Sequence, residues 1–499
     1  MKNQPAAVPN SARVPRSHDG LKPALGLFTT IMLVAGGVIG SGIFRKPGVM
    51  AAQVGSPELL LGVWLVAGVI TFFGALINAE IAAMMPETGG QYIYFERMYG
   101  PFVAYLYGWS VFAVIQTGSI AAVAYVFAEF STQLIALPEF PPALAGWTCP
   151  LPFIGDLAPF KDIGVKVLAG AVIVALTLVN YLGVRFGGVV QNIFTLAKIG
   201  AMVALMFVVL LTPGAARAAH LTQDSATIHP HGLALLGALA AALQGAFWAY
   251  DGWNKITYVA GEVKEPQRNL PRGLLMGMAL VTALYLLLNL AYAAVLPIDD
   301  MAGAKLVAAD VAEKCRPGGG RWIAVAVMLS TFGAANAMIM ASARVYFSMA
   351  RRNVFPQFLG RVHPQFHTPA ASLVVQGAWS VLLLFSGTFD TLTDTLIFVS
   401  WIFYAAGAYG LFVLRRREPG ASRPYRCPGY PVVPWVFILF ATVFLALTLY
   451  HDVAGYRAAV AAGQPARINA AFGAALVALG TPVYFYYRRK ARTRPPDPG

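Results

Sequence analysis

The chain has 499 residues, 58% of them apolar and only 12% charged, about half the charged fraction of a soluble domain, where roughly 25% is usual. That is too little charge to coat a water-facing surface of this size, which excludes an ordinary soluble enzyme or binding module. The net charge of +14, from 36 Lys and Arg against 22 Asp and Glu, is dispersed through short loops and tails, as the positive-inside rule produces in multi-span proteins, so no nucleic-acid partner is expected.

Residues 1–22 are polar and read as an N-terminal tail without a cleavable signal pattern. Twelve apolar segments follow, near 25–50, 58–85, 101–130, 164–184, 189–212, 233–260, 272–297, 321–350, 369–388, 393–414, 432–450 and 469–487. As helices they are long enough to cross a ~30 Å hydrocarbon core. Polar punctuators separate them, among them PETGG at 86–90, PGGG at 317–320 and REPGASRP at 417–424. An even number of spans puts both termini on one side. With that side cytoplasmic, most of the Lys and Arg fall inside, anchored by the triplet Arg415–Arg417 and by Arg488, Arg489 and Lys490. The expected localisation is a plasma (inner) membrane. A ten-helix core over 23–414 is expected, then helices 11 and 12 with their preceding loop over 415–487, and a basic tail over 488–499.

Spans 1 and 6 are unusual. The first holds GGVIGSGIF (36–44), with Gly36, Gly37, Gly40 and Gly42 in its middle; the sixth holds FWAYDGWN (247–254). One glycine within a span usually means close helix packing. Two interruptions at corresponding places in two halves point to five-plus-five inverted repeats with the substrate site at the breaks. A broken helix exposes orphan N–H groups on one side and orphan C=O groups on the other. The first attract a carboxylate and the second an ammonium, without ionised side chains. Ser41, Gly42 and Ile43 are therefore expected to offer amide donors to a substrate carboxylate, with the Ser41 hydroxyl as an addition.

At these residues the chain resembles the amino acid–polyamine–organocation superfamily, and more narrowly the L-type amino acid transporters. The resemblance covers spans 1 to 10 and rests on six stretches in family order: GVIGSGIF (37–44), AEIAAMMPETGGQYIY (79–94), VVQNIFTLAKIGA (189–201), FWAYDGWNKITYVAGEVKEPQRNLPRG (247–273), ASARVYFSMAR (341–351) and VHPQFHTPAASL (362–373). It implies an all-α fold of twelve transmembrane helices, leucine-transporter-like, with helices 1 and 6 broken. It also implies that the substrate amine meets the C=O groups of Val38, Trp248 and Asp251. Trp248 stands where many relatives carry Phe as a lid over the substrate. Asp251 departs from relatives that have Gly: its side chain either sits beside the amine or faces away and caps a half-helix. Asn254, after the break, either bonds substrate or ties down the unwound segment.

Lys198 lies deep in span 5, and a charge within the membrane is a functional candidate by default. In sodium-coupled proteins of the fold it resembles, the corresponding region helps complete a sodium site. An ammonium there would replace the ion and tether span 1 to spans 5 and 8, and its burial opens a second role in proton coupling. Glu80 and Arg344, near the cytoplasmic ends of spans 2 and 8, read as parts of an inner gate or as a structural ion pair. The pocket wall is expected from Gly118, Ser119 and Val123 on span 3 and from Phe398 and Trp401 on span 10.

No cofactor is expected. There is no HExxH, P-loop or CxxC pattern, and GVIGSG lies inside an apolar span rather than after a strand. The HPH of His229 and His231 reads as loop, not metal site. Cys149, Cys315 and Cys427 make no disulfide framework. The L-type resemblance gives Cys149, in TCPLP, the setting of a bond to a heavy subunit, but an obligate heavy subunit is not expected.

The function expected is sodium-independent exchange of neutral L-amino acids by alternating access. The rivals are a proton-coupled symporter, a carrier of cationic amino acids or polyamines, and, more remotely, a polytopic membrane enzyme, for which the embedded ionisable residues form no recognisable catalytic set.

Overall fold

The computed structural model describes residues 23, 25–151, 155–304, 306–385, 389–463 and 468–492. The tail expected over 1–22 and the end of the basic tail, 493–499, lie outside the described residues. Among the described residues eleven helices are long and apolar enough to cross a bilayer, and the shorter Ala370–Leu384 stands where the ninth segment is expected. The fold is the expected twelve-span, leucine-transporter-like one.

Span 1 divides into half-helices 1a (Leu27–Val38) and 1b (Gly42–Val54), and span 6 into 6a (Leu233–Tyr250) and a tighter helical segment 6b (Lys255–Glu262). Spans 2 (Pro57–Met84) and 7 (Pro266–Val295) each begin on proline, as does span 3 at Pro101. Proline suits that position because its missing N–H would have had no intrahelical partner. Span 4 is Ile163–Leu182, span 5 Val184–Leu211, span 8 Gly319–Arg351, span 10 Phe389–Arg417 and span 11 Val432–Ala461. Span 12 covers Asn469–Lys490. Between spans 3 and 4 lies a short antiparallel hairpin, in which β1 (Cys149–Leu151) pairs with β2 (Gly155–Leu157).

Spans 2 and 7 pack on each other, span 1 lies against spans 5 and 7, and span 8 against spans 3 and 5. Small residues permit the closest crossings, as is usual inside a bilayer. A methyl at Gly273 would stand 2.3 Å from Thr30, and one at Gly277 would stand 2.7 Å from Val34. Span 3 contains a wider turn at Val111–Ile115. Side-chain donors also reach the carbonyls of this turn: Tyr346 to Val111 (3.3 Å), Trp379 to Ala113 (3.2 Å) and Thr117 to Phe112 (2.6 Å). Irregular backbone at membrane depth is stable only with such partners. Spans 11 and 12 cover spans 6 and 10 and spans 3 and 10 respectively.

Candidate functional site

The helical bonding of 1a ends with Ile39 N–H on the Ala35 carbonyl (2.8 Å). Beyond it Gly40 and Ser41 lie outside either half-helix, and Ser41 sits at the cap position of 1b. The next bonds run from Phe44 and Arg45 N–H to the Ser41 carbonyl, both 3.2 Å. The first N–H groups of 1b thus face the gap, as at any helix start. The Ser41 hydroxyl is buried there without a partner among the described residues. At the facing end of 1a the Lys198 ammonium, 1% exposed, donates to the Gly36 carbonyl (2.9 Å) and the Ile39 carbonyl (2.6 Å). A cation at a helix C-terminus meets the negative end of the helix dipole. Here it also satisfies carbonyls that have no water to turn to.

Span 6 ends its first half at Tyr250. Asp251 N–H bonds the Trp248 carbonyl (3.2 Å), and the chain turns through Gly252 at φ +99°. Only glycine suits that conformation and that space: a methyl on Gly252 would lie 2.6 Å from the Gly37 carbonyl oxygen. The two breaks therefore meet backbone to backbone. Tyr285 of span 7 joins them too, its hydroxyl within 3.2 Å of the Val38 carbonyl and 3.0 Å of the Ala249 carbonyl. Asn254 is buried, and among the described residues its Nδ2 has no partner.

The site is sealed at both ends. Away from the termini, 1b lies against 6a so tightly that a methyl at Gly42 would stand 2.5 Å from Ala249 Cα. Arg45 pairs with Glu129 at the end of span 3. On the side of the termini, the hydroxyls of Tyr107 and Tyr258 share a 2.6 Å hydrogen bond, and Arg344 pairs with Glu262 at 3.2 Å. Leu25 N–H also bonds the Glu262 carbonyl (2.9 Å), and Lys264 N–H bonds the Leu25 carbonyl (2.9 Å). The chain entering span 1 is thus laced to the chain leaving 6b.

A buried, sealed pair of helix breaks is the architecture of a carrier, and comparison with known proteins assigns the family. A family model described as amino acid permease matches residues 25–478. The serine/threonine exchanger SteT of Bacillus subtilis (strain 168) is 32% identical over 438 residues, 87% of this chain and 93% of that protein. The b(0,+)-type amino acid transporter 1 of Homo sapiens is 31% identical over 429 residues, 86% of this chain and 82% of the relative. The large neutral amino acids transporter small subunit 2 of Mus musculus is 30% identical over 500 residues, covering 98% and 87%. The chain belongs to the amino acid permease family. It is a transporter, not an enzyme, and a multi-pass membrane protein.

The permease gathers Val38, Ser41, Gly42, Ile43, Trp248, Asp251 and Asn254 around the two breaks, all of them buried. Two of the three carbonyls expected for the amine already accept one bond each, Val38 from Tyr285 and Trp248 from Asp251 N–H; a carbonyl has a second lone pair for a ligand. The Asp251 side chain is held by two protein partners. Its Oδ1 accepts from the Tyr404 hydroxyl of span 10 (2.7 Å), and its Oδ2 pairs with Lys255 at 3.3 Å.

Lys198 reaches span 1 alone by hydrogen bond; span 8 meets span 5 by packing, with Phe194 beside Gly333. Glu80 and Arg344 stand in separate ion pairs. Glu80 holds Arg415 through two bonds (3.0 and 2.7 Å), Arg423 at 3.4 Å and the Cys427 N–H at 2.7 Å, fastening the loop after span 10 to span 2. Of the expected pocket wall, Gly118 faces Leu396, Ser119 bonds back to Ile115 in its own helix (2.6 Å), and Val123 and Phe398 are buried. Trp401 instead enters an aromatic cluster with Phe247 of 6a and with Phe437, Phe440 and Phe444 of span 11. Tyr285, Lys255, Tyr404 and the Tyr107–Tyr258 pair are site residues that the sequence reading does not single out.

Proposed function

We propose that the permease exchanges neutral L-amino acids without sodium, by alternating access between the two seals described above. The observation that carries this reading is the Lys198 ammonium on the Gly36 and Ile39 carbonyls, a positive charge built into the break of span 1. The substrate carboxylate meets the N–H groups of Ser41, Gly42 and Ile43 with the Ser41 hydroxyl. The amine meets the carbonyls of Val38, Trp248 and Asp251, and Asn254 adds a donor. Both termini are cytoplasmic. Exchange is supported by a relative named as an exchanger. Uptake of a panel of labelled amino acids by proteoliposomes tests the reading: saturable uptake of neutral L-amino acids is expected, and uptake of none would overturn it.

One observation favours a second reading, proton symport. Among the described residues the Lys198 ammonium meets two carbonyls and no carboxylate, so no neighbouring anion holds its proton in place. The two readings part on whether empty liposomes accumulate substrate.

Trp248 is buried beside the breaks and is assigned here as the lid. Trp248→Ala is expected to raise KM and lower the maximal rate together, because closure completes the occluded state. Unchanged uptake kinetics would make it a packing residue. Cys149 is a partly exposed free thiol in the hairpin between spans 3 and 4, and one relative is named a small subunit. We assign this permease no obligate heavy subunit. Purified Cys149→Ser protein, reconstituted alone, should therefore match wild-type uptake; loss of uptake with normal folding would contradict this.

A further inference from the structure

The pair made by Asp251 and Lys255 is not accounted for by the binding of an α-carboxylate and an α-amine. Both side chains are almost fully enclosed, 4% and 6% exposed. Each carboxylate oxygen of Asp251 is occupied, Oδ1 by Tyr404 and Oδ2 by Lys255. The pair also stands at the site. A methyl on Gly252 would lie 2.9 Å from the Lys255 ammonium and 2.6 Å from the Gly37 carbonyl oxygen, so the ammonium sits where the two breaks touch. Tyr404 extends the pair to span 10, its ring 6.1 Å from that of Trp401 and 5.4 Å from that of Trp253.

We propose that Lys255 is a specificity-determining residue: by occupying Asp251 it makes the permease reject amino acids with cationic side chains. This rests on the transport reading above and deepens it. A carboxylate sealed at membrane depth is stable only with a counter-charge. Lys255 supplies that charge from within the chain, so the pair is neutral before substrate arrives. An uncharged side chain leaves the pair intact. A substrate ammonium or guanidinium finds the carboxylate taken and faces a like charge instead, which low dielectric makes strongly repulsive. Removing Lys255 while keeping Asp251 inverts this: the carboxylate keeps its Tyr404 bond, lacks a counter-ion, and is completed by a cation carried on the substrate.

The test compares amino acids of matched length that differ in charge. L-Ornithine against L-norleucine, and L-2,4-diaminobutyrate against L-norvaline, compete with a labelled neutral substrate in proteoliposomes. The readout is the ratio of half-inhibiting concentrations, cationic over neutral, which a purely structural role for the pair would leave unmoved. Wild-type protein should show a high ratio for both pairs. In Lys255→Gln the ratio should fall at least ~10-fold, a change of about 1.4 kcal/mol. In the double variant Asp251→Asn/Lys255→Gln it should return towards the wild-type value, because the uncovered carboxylate is gone.

If Lys255→Gln binds but does not move substrate, the same ratio is read from ligand-induced shifts in the melting temperature of the purified protein. The proposal is overturned by an unchanged ratio in Lys255→Gln, or by a low ratio in the double variant. Should Lys255→Gln fail to fold, wild type decides alone: inhibition by L-ornithine as strong as by L-norleucine overturns the proposal, and a high ratio supports it. Wild-type protein that takes up no amino acid would instead defeat the transport reading on which the proposal rests.

Discussion

Lys198→Ala is expected to reach the membrane folded and to lose at least ~100-fold in uptake. The ammonium makes two charge-assisted bonds, to the Gly36 and Ile39 carbonyls, each of a kind worth roughly 1.5–3 kcal/mol. Losing both removes about 3 kcal/mol or more from the arrangement of the break, and every 1.4 kcal/mol is about tenfold in an equilibrium. The same charge predicts the ion dependence. Two unit charges ~4 Å apart repel by about 4 kcal/mol even at an effective dielectric of 20, so a sodium ion beside Lys198 would be expelled, and replacing sodium with choline should leave wild-type uptake intact. Near-normal uptake by Lys198→Ala, measured with insertion verified by size-exclusion of the detergent extract, would remove Lys198 from the mechanism.

Gly42→Val is also expected to be damaging, for a reason of shape. The position has space for no side chain: a Cβ would stand 2.5 Å from Ala249 Cα and 2.7 Å from Ala249 Cβ. Overpacking of this kind costs typically 1–3 kcal/mol, and here it opposes the closure of 1b on 6a rather than the fold at large. Uptake should drop by about 5- to 140-fold on that scale. The first glycine of 1b thus serves two ends, letting backbone N–H groups face a ligand and letting the two half-helices close. A Gly42→Val protein with wild-type uptake would show that 1b and 6a do not need this contact during the cycle. Ser41→Ala, which adds no bulk, isolates the hydroxyl and should weaken binding without preventing closure.

The span pattern was legible because the bilayer imposes it: long apolar runs with polar punctuation can only cross as helices. The breaks were legible for the same reason, since clustered glycines and an Asp are costly inside a span unless something uses them. The far end of span 11 was not. Its apolar run stops near 450 while the helix continues through His451, Asp452 and Arg457 to Ala461, because a helix does not have to end where its hydrophobic stretch does. Partners distant in sequence were also invisible: Glu80 lies opposite Arg415, and Arg344 opposite Glu262, by tertiary packing alone. The Asp251–Lys255 spacing is different. Four residues is the ordinary separation of a helical ion pair, but an expected break at that point removes the reason to assume helical geometry. The pair forms across the unwound turn. Tyr285 gave no signal, since a tyrosine in a span is ordinarily a packing residue. The contacts of Trp401 with the phenylalanines of span 11 were invisible too, since nothing in the sequence pairs span 10 with span 11.

The most direct test of obligatory, sodium-independent exchange is uptake of a labelled neutral L-amino acid in choline buffer, by liposomes holding the purified wild-type permease and either preloaded with the unlabelled amino acid or empty. The account predicts rapid uptake into the preloaded vesicles and little into the empty ones, with or without an inwardly directed proton gradient. Accumulation in empty vesicles driven by that gradient, or uptake that appears only when sodium replaces choline, would contradict it.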